Sequence, residues 1–363
     1  MNTPPPAPPH APLPGRGTHT NPPNRFAPLL LTPDPDNPDA FSADPADRPQ
    51  PRTQFFVDGT ESLLTKNDSP DIPFTVGLNP YRGCEHGCAY CFARPYHDYL
   101  GWSSGLDFET KIMVKTRAPE LLRRELSSPK WEPQSIAMSG VTDCYQPAER
   151  HFRVTRGCLE VCAEFRQPIS IVTKNALVTR DRDLLATLAR HQATAVYVSI
   201  TTLDSDLAGQ LEPRASRPAA RLRAIRELTA AGIPVGVMVA PVLPGLTDHE
   251  MPAILDAAAT AGATRAGYIV LRLPHAVKDV FVQWLDDHAP TTKARILDRL
   301  RQLRGGQLNV SEWGTRLKGE GLFADQIRDL FRATTRRAGL NEERHPLSTA
   351  AFRRPGGEQL SLF

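Results

Sequence analysis

Between residues 75 and 290, short apolar segments rich in β-branched residues alternate with longer segments of helical periodicity. The strand-like runs lie at residues 75–79, 135–141, 169–174, 195–201, 234–242 and 266–272. Strands that are apolar on both faces and are separated by helices predict a parallel sheet covered by helices. Six such units are too many for a small flavodoxin-like sheet. We therefore predict an α/β fold, a partial (βα)6 TIM-like barrel, with an open doubly wound sheet as the alternative.

The segments between these runs carry the signals of helices. They lie near residues 116–127, 148–166, 181–190, 216–231, 248–261 and 276–287. The stretch RLRAIRELTAAG (221–232) shows the helical pattern most clearly, and it ends at Gly232. Glycine readily adopts the left-handed conformation that terminates helices, so we expect this helix to end there.

Composition divides the chain outside the barrel. Residues 1–52 hold 16 of the 35 prolines and few large apolar residues, so we predict a disordered segment that the core does not need. The predicted divisions are 1–52 disordered, 53–74 N-terminal arm, 75–290 barrel, 291–340 helical C-terminal extension and 341–363 polar tail.

Composition also bears on location and partners. The chain has no run of about 18 or more apolar residues, and its N-terminus lacks the pattern of a secretory signal. We therefore predict a cytoplasmic protein without membrane contact, whose clustered thiols stay reduced. The net charge of +3 is too small to imply a nucleic-acid partner by itself.

Three of the six cysteines, Cys84, Cys88 and Cys91, lie in the stretch CEHGCAYC after the first predicted strand. Structural zinc sites use four ligands, so a zinc site of three cysteines and His86 or His97 is one alternative. Ferredoxin-type clusters also use four thiolates. Three thiolates leave one iron of a 4Fe–4S cluster without a protein ligand, and an open coordination position is where a metal centre performs chemistry.

The Cys-x3-Cys-x-aromatic-Cys pattern, with Tyr90 as the aromatic residue, resembles the signature of the radical S-adenosylmethionine (radical SAM) superfamily. The stretches RGCEHGCAYCFAR, TDCYQPAE, SIVTKN and LEPRASRPAARL are similar to the branch related to spore photoproduct lyase, often labelled DNA-repair-photolyase-like. The resemblance spans about residues 70–290, and it implies a partial barrel of six units.

The resemblance implies a radical SAM enzyme of lyase or oxidoreductase type. Cys84, Cys88 and Cys91 would bind one 4Fe–4S cluster, and S-adenosylmethionine would chelate the fourth iron. One electron, from a donor such as a flavodoxin or ferredoxin, would cleave the cofactor to a 5′-deoxyadenosyl radical that abstracts hydrogen from the substrate. We expect the protein to be a monomer.

The resemblance also implies cofactor contacts at the ends of the predicted strands. Ser139 and Asp143 would contact the methionine amino group, and Lys174 the methionine carboxylate. The other candidate cofactor residues are Ser199 and Thr201 for the ribose and Tyr90 for the adenine. For each of these residues the alternative is an ordinary polar group at a strand end.

The remaining cysteines have different expected roles. Cys158 and Cys162 stand four residues apart on a predicted helix, where buried cysteine behaves as a small hydrophobe. Cys144 stands in TDC where related sequences usually read TDP. The hydrogen-donating thiol of photoproduct lyases falls nearer Gly140, so Cys144 is at best a displaced substitute.

Two arginines bear on the substrate. Arg214 and Arg217 follow the fourth predicted strand, on the side of a barrel where active sites lie. Arginine suits phosphates, so we lean towards nucleic-acid repair or modification; the alternative is a structural pair of Arg214 with Glu212. A protein or small-metabolite substrate, and a non-catalytic binding module stabilised by metal, remain alternatives.

Overall fold

The computed structural model describes residues 12–26, 51–342 and 346–355. The strands are β1 (Gln54–Val57), β2 (Leu64–Lys66), β3 (Val76–Leu78), β4 (Tyr81–Arg82), β5 (Lys111–Val114), β6 (Ile136–Met138), β7 (Ile169–Thr173), β8 (Thr194–Ser199), β9 (Val235–Val242) and β10 (Arg265–Val270). The α-helices are α1 (Leu106–Thr110), α2 (Ala118–Ser127), α3 (Glu149–Phe152), α4 (Val154–Phe165), α5 (Arg182–Ala189), α6 (Ser205–Leu211), α7 (Pro218–Ala230), α8 (Met251–Thr260), α9 (Val277–His288), α10 (Lys293–Gln302) and α11 (Gly321–Arg337).

The large sheet has the order β10-β9-β8-β7-β6-β3-β2. Strands β3, β6, β7, β8, β9 and β10 pair in parallel, and β2 pairs antiparallel with β3 at one edge. Because β10 and β2 end the order without pairing with each other, the sheet does not close. This arrangement confirms the predicted partial barrel of six parallel strands, and each predicted strand run overlaps one of them.

A small sheet of order β1-β5-β4 supports the region next to the first parallel strand. Strand β1 pairs in parallel with β5, and β4 pairs antiparallel with the same strand. The prediction omitted this sheet because its strands have two to four residues and carry little periodicity. The small sheet holds β4 directly before the cysteine motif.

The helices cover the sheet with the apolar faces that their sequences predict. In α2 the buried residues are Ala118, Leu121, Leu122 and Leu126, which lie on one face at helical spacing. Helix α7 ends as expected: Gly232 has φ of +75°, and the Ile233 N–H donates to the Leu228 carbonyl at 3.1 Å. The apolar face of α7 contains one charged residue, Arg221, which is buried.

Part of the segment predicted to be disordered has a defined conformation in the structure. Residues 12–26 lie against the region of the cysteine motif, and Gly17 and Thr18 are buried there. Periodicity did not reveal this packing because the segment is held by glycine, backbone groups and polar side chains rather than by a periodic apolar face. The rest of the predicted disordered segment lies outside the described residues, except for residues 51 and 52.

The C-terminal part contains the helices α10 and α11, which lie in the region expected to be a helical extension. The described residues of the predicted polar tail, 346–355, return to the barrel. The Arg353 N–H donates to the Phe165 carbonyl at 2.9 Å, and the Phe352 ring lies 6.2 Å from the Phe165 ring. Among the described residues, no helix is both long enough and apolar enough to cross a bilayer.

Candidate active site

The three cysteines of the motif lie on a loop that follows β4 and ends at the 3-10 helix Arg94–Leu100. The Cys84 and Cys88 residues are each 6% exposed, and Cys91 is half-buried. All three thiols are free. The loop therefore presents three thiols within eight consecutive residues near the carboxyl end of β3, the edge of the sheet where parallel α/β proteins bind ligands.

A buried guanidinium fixes the conformation of this loop. The Arg94 side chain is inaccessible to solvent, and its Nε and Nη2 donate to the Cys88 carbonyl at 3.1 and 2.9 Å. Its Nη1 donates to the Gly105 carbonyl at 2.9 Å, and its Nη2 pairs with Glu109 Oε1 at 2.5 Å. Because the backbone at Cys88 is held by a rigid, charged fork, the loop is preorganised.

A buried amide holds the first half of the loop. The Glu85 N–H donates to Gln146 Oε1 at 2.9 Å, and Gln146 Nε2 donates to the Gly83 carbonyl at 3.1 Å. Gln146 follows β6, so the second parallel strand also orients the cysteine loop.

The two arginines that the sequence assigned to phosphate binding have other contacts. The Arg214 guanidinium pairs with the Glu85 carboxylate at 3.0 Å, and the backbone N–H of Arg214 donates to the His86 carbonyl at 3.2 Å. Arg217 is exposed and donates to the Ser205 carbonyl at 3.0 Å. Arg214 therefore supports the cysteine loop. The alternative pairing of Arg214 with Glu212 is not observed.

Of the two candidate fourth ligands of a zinc site, His86 is engaged elsewhere, whereas the buried Nε2 of His97 has no hydrogen-bond partner among the described residues. His86 Nδ1 lies 3.4 Å from Asp143 Oδ2, and His86 Nε2 lies 3.2 Å from Asn175 Nδ2, so both ring nitrogens have partners. His97 lies against the Trp102 ring at 5.2 Å. Within residues 12–26, 51–342 and 346–355, no three His, Cys, Asp or Glu side chains converge closely enough to hold a single metal ion.

The donor set fits an iron–sulfur cluster with one open coordination position. Burial raises the pKa of the Cys84, Cys88 and Cys91 thiols, and for Cys84 the neighbouring Asp143 carboxylate raises it further. Iron binds thiolates, so cluster binding at this loop must release these protons. The remaining three cysteines lie in the core, which leaves three thiols for such a cluster.

Lys174, directly after β7, lies at the centre of a polar network. Its Nζ donates to Ser199 Oγ and to the Ala240 carbonyl, both at 2.8 Å, and lies 3.3 Å from Thr201 Oγ1. The same Nζ forms an ion pair with Glu212 at 3.2 Å. An ammonium has three donors, so these acceptors occupy all of them.

The carboxylate of Glu212 is the hub of this network. Glu212 is 1% exposed and accepts hydrogen bonds from Thr201 at 2.7 Å, from the Tyr90 hydroxyl and from Arg221. Burial by itself raises the pKa of Glu212, but the charges of Arg221 and Lys174 and the donated hydrogen bonds bring it well below its ordinary value. Glu212 is therefore ionised and compensates two cations in the interior.

A second carboxylate lies next to the network. Asp143 Oδ2 accepts from the Lys174 N–H at 2.7 Å, and Oδ1 accepts from Thr173 Oγ1 at 2.8 Å. Burial raises the pKa of Asp143, but the neighbouring His86 and the donated hydrogen bonds outweigh it and lower that pKa. Ser139 has φ of +71°, and its Oγ accepts from the Cys144 N–H at 2.7 Å.

The structure thus brings together most of the residues that the sequence proposed for the cofactor. Two of these residues lie outside the shared network: Asp143 is next to it, and the Ser139 hydroxyl stabilises the turn after β6. The residues that share one network are Tyr90, Lys174, Ser199 and Thr201. Sequence reasoning missed Glu212 and Arg221 as its central ion pair. The available signal was an arginine on the apolar face of α7.

The other cysteines belong to the core. Cys144, Cys158 and Cys162 are inaccessible to solvent and pack among apolar side chains, as predicted for the last two. Burial raises the pKa of the Cys144 thiol well above its usual range. Cys144 therefore does not face an open site, which counts against its role as a displaced hydrogen donor.

An exposed aromatic surface lies beside the cysteine loop. We define the aromatic stripe as Phe26, Phe92, Tyr96 and Tyr99, whose exposed fractions are 57, 41, 54 and 66%. The Tyr99 ring lies 4.9 Å from the Phe26 ring, and the Arg25 guanidinium lies within 5.0 Å of both centroids. Phe92 directly follows Cys91 in the chain, and the Arg272 guanidinium lies 5.7 Å from the centroid of its ring. The stripe therefore combines aromatic faces with two arginines.

Comparison with known proteins identifies similar sequences and a matching family profile. The profile of the Radical SAM superfamily matches residues 78–258, which include the cysteine loop and most of the barrel. An uncharacterised protein of Mycobacterium tuberculosis is 39% identical over 233 residues, which are 64% of this chain and 68% of that protein. The Radical SAM Nalpha-GlyT isomerase of Pseudomonas phage M6 is 28% identical over 203 residues, 55% of this chain and 40% of that protein.

The fold has a counterpart among solved structures. The structure of spore photoproduct lyase complexed with dinucleoside spore photoproduct matches with a TM-score of 0.57. The match covers 79% of this chain and 80% of that chain, at 18% sequence identity. At this identity the likeness concerns the fold alone.

Proposed function

Because the chain belongs to the radical SAM superfamily and is a radical SAM enzyme, we propose that Cys84, Cys88 and Cys91 bind one 4Fe–4S cluster and that the protein reductively cleaves S-adenosylmethionine. When bound and reduced, the cluster supplies the electron that splits this cofactor into methionine and a 5′-deoxyadenosyl radical. We propose residues 75–290 as the catalytic part, and a flavodoxin or ferredoxin as the source of the electron.

The convergence of three chain segments, one of them the cysteine loop, carries this proposal. Tyr90 comes from the loop itself, Lys174 follows β7, and Ser199 and Thr201 lie at the end of β8. These side chains offer an ammonium, two hydroxyls and an aromatic ring, which suit a carboxylate, a ribose and an adenine. Direct binding of a carboxylate by Lys174 requires the exchange of one of its present acceptors.

Anaerobic reconstitution with iron and sulfide tests this function. The wild-type protein should become brown, bind about four irons per chain as a 4Fe–4S cluster does, and release 5′-deoxyadenosine with dithionite and S-adenosylmethionine. Replacing Cys88 with alanine should abolish both properties, whereas Cys162→Ala, a matched change in the core, should preserve them. A colourless wild-type protein that cleaves no cofactor would support the alternative of a binding module.

For the substrate, we propose a single-stranded or locally opened nucleic acid. The aromatic stripe supports this choice because nucleobases stack on exposed aromatic rings beside arginines, at about 1–3 kcal/mol per base. The stripe begins next to Cys91, so a bound strand would pass the site of chemistry. Arg214, which the sequence had suggested for phosphates, no longer supports this choice because it pairs with Glu85.

Binding of labelled single-stranded DNA and RNA, followed by fluorescence anisotropy at two salt concentrations, tests the substrate class. Tyr99→Ala should weaken binding about 5- to 150-fold, the effect of one lost stacking contact. Leu322→Ala, a change of an exposed apolar residue on α11, should leave it unchanged. Equal affinities of the wild type and Tyr99→Ala for these nucleic acids would contradict nucleic acid as the substrate class and would favour a protein or a small metabolite.

A further inference from the structure

The segment of residues 12–26, which we call the strap, crosses the cysteine loop at very short range. A Cβ atom on Gly17 would lie 1.6 Å from the Gly87 carbonyl oxygen and 3.1 Å from the Ala89 nitrogen. Gly87 and Ala89 flank Cys88, and Gly87 itself has φ of +66°. Only glycine permits the strap to approach the loop this closely.

A chain of polar contacts connects the strap to the backbone of the loop. The Gly17 N–H donates to Glu109 Oε2 at 3.0 Å, while Oε1 of the same carboxylate pairs with Arg94. Arg94 in turn donates to the Cys88 carbonyl. Arg16 Nη1 also donates to the Glu109 carbonyl at 3.0 Å. Both oxygens of one buried carboxylate thus join the strap to the residue that orients Cys88.

The rest of the strap is fixed to the segments around the loop. The Leu106 N–H donates to the Thr20 carbonyl at 2.9 Å, and Thr20 Oγ1 donates to Gln283 at 2.8 Å. A second glycine permits close approach here, because a Cβ on Gly105 would lie 2.0 Å from the Thr20 carbonyl oxygen. Asn24 Nδ2 donates to the Asp98 carbonyl at 2.8 Å. The strap therefore has a defined path on both sides of Gly17.

We propose that the strap is part of the cluster site, and that Gly17 is a positioning residue that holds the loop in its cluster-binding conformation. The expected effect on cluster stability rests on the proposed function. The expected effect on the reactivity of the Cys88 thiol in the apoprotein does not. It reverses the expectation that the proline-rich N-terminal segment can be removed without consequence. A segment that only covers apolar surface would make no ordered contact with Glu109.

Cysteine-resolved alkylation of the apoprotein tests the inference without the cluster. Gly17→Ala should raise the alkylation rate of Cys88 by about tenfold or more, equivalent to about 1.4 kcal/mol. The rates at Cys158 and Cys162 should not change, because a local displacement of the strap leaves the core intact. Gly59→Ala is the matched control, since a Cβ on Gly59 would meet no atom within 4 Å.

The reconstituted protein provides the second measurement. Removal of iron by a chelator should be about tenfold faster in Gly17→Ala than in wild type or Gly59→Ala. If wild type binds no iron, the proposed function fails, and the alkylation result alone decides the role of the strap.

The inference is overturned if Cys88 alkylation in Gly17→Ala stays within about twofold of wild type. It is also overturned if all cysteines become reactive together in Arg16→Gln, which removes a strap contact without a steric clash. This second variant decides the question if Gly17→Ala fails to fold.

Discussion

Replacing Glu212 with glutamine should destabilise the protein, because this carboxylate is the counterion of both Lys174 and Arg221. The Glu212 and Arg221 side chains are 1 and 2% exposed, whereas Lys174 is 16% exposed. Leaving a buried ion without its partner costs about 3–5 kcal/mol. Arg221 retains hydrogen bonds to the Ser216 and Ser199 carbonyls, at 2.7 and 2.8 Å, so we expect the lower end, about 3 kcal/mol.

Equilibrium unfolding of the reduced apoprotein in urea at neutral pH, followed by circular dichroism, measures this change. Glu227→Gln is the matched control: Glu227 lies on α7, is 42% exposed and stands 3.9 Å from Arg223. That substitution should change the unfolding free energy by less than about 0.5 kcal/mol.

A double-mutant cycle with Arg221→Met identifies the cause. If the cost of Glu212→Gln comes from an unpaired guanidinium, the double variant should be more stable than the sum of the single changes predicts. A loss below about 1 kcal/mol for Glu212→Gln, or strict additivity in the cycle, would refute the view that buried charge compensation holds these segments together.

Three further predictions follow from the same contacts. Cys84→Ala should lose the iron–sulfur cluster, measured as iron and sulfide per chain, whereas Cys158→Ala should retain it because Cys158 lies in the core; a cluster in both would contradict the ligand assignment. Lys174→Ala should retain iron but bind S-adenosylmethionine about tenfold more weakly in equilibrium dialysis, because one charge-assisted contact to the cofactor is lost. The loss stays at about tenfold because Lys174 in the wild type must give up one of its present acceptors to make that contact. Unchanged affinity would leave Lys174 only its ion pair with Glu212. The pKa of Glu212 is lowered in the folded protein, so its contribution to stability is present above its ordinary value of 4.5 and is lost as the pH falls below it. The unfolding free energy of wild type should therefore fall more steeply than that of Glu212→Gln below this pH, and parallel curves would contradict the shift.

The sequence was sufficient for the architecture of the barrel. Apolar β-branched runs and helical periodicity are properties of contiguous residues, and they located all six parallel strands and the longer helices between them, but not the short helices α1 and α6. Helix α7 illustrates the point, since its apolar spacing and Gly232 predicted both its buried face and its end. The three cysteines were equally clear, because their spacing within one short loop is a local property.

The tertiary structure alone decided which residues share a site. Glu212 is 122 residues from Tyr90, yet the two side chains are in hydrogen-bond contact, and Arg221 enters the same network from the buried face of a helix. Gly17 contacts a carboxylate 92 residues away. Nothing in the local pattern of a proline-rich stretch encodes such a contact. Periodicity reports which face of an element is buried, whereas the partner on that face depends on how distant segments pack, and therefore only the assembled barrel identifies it.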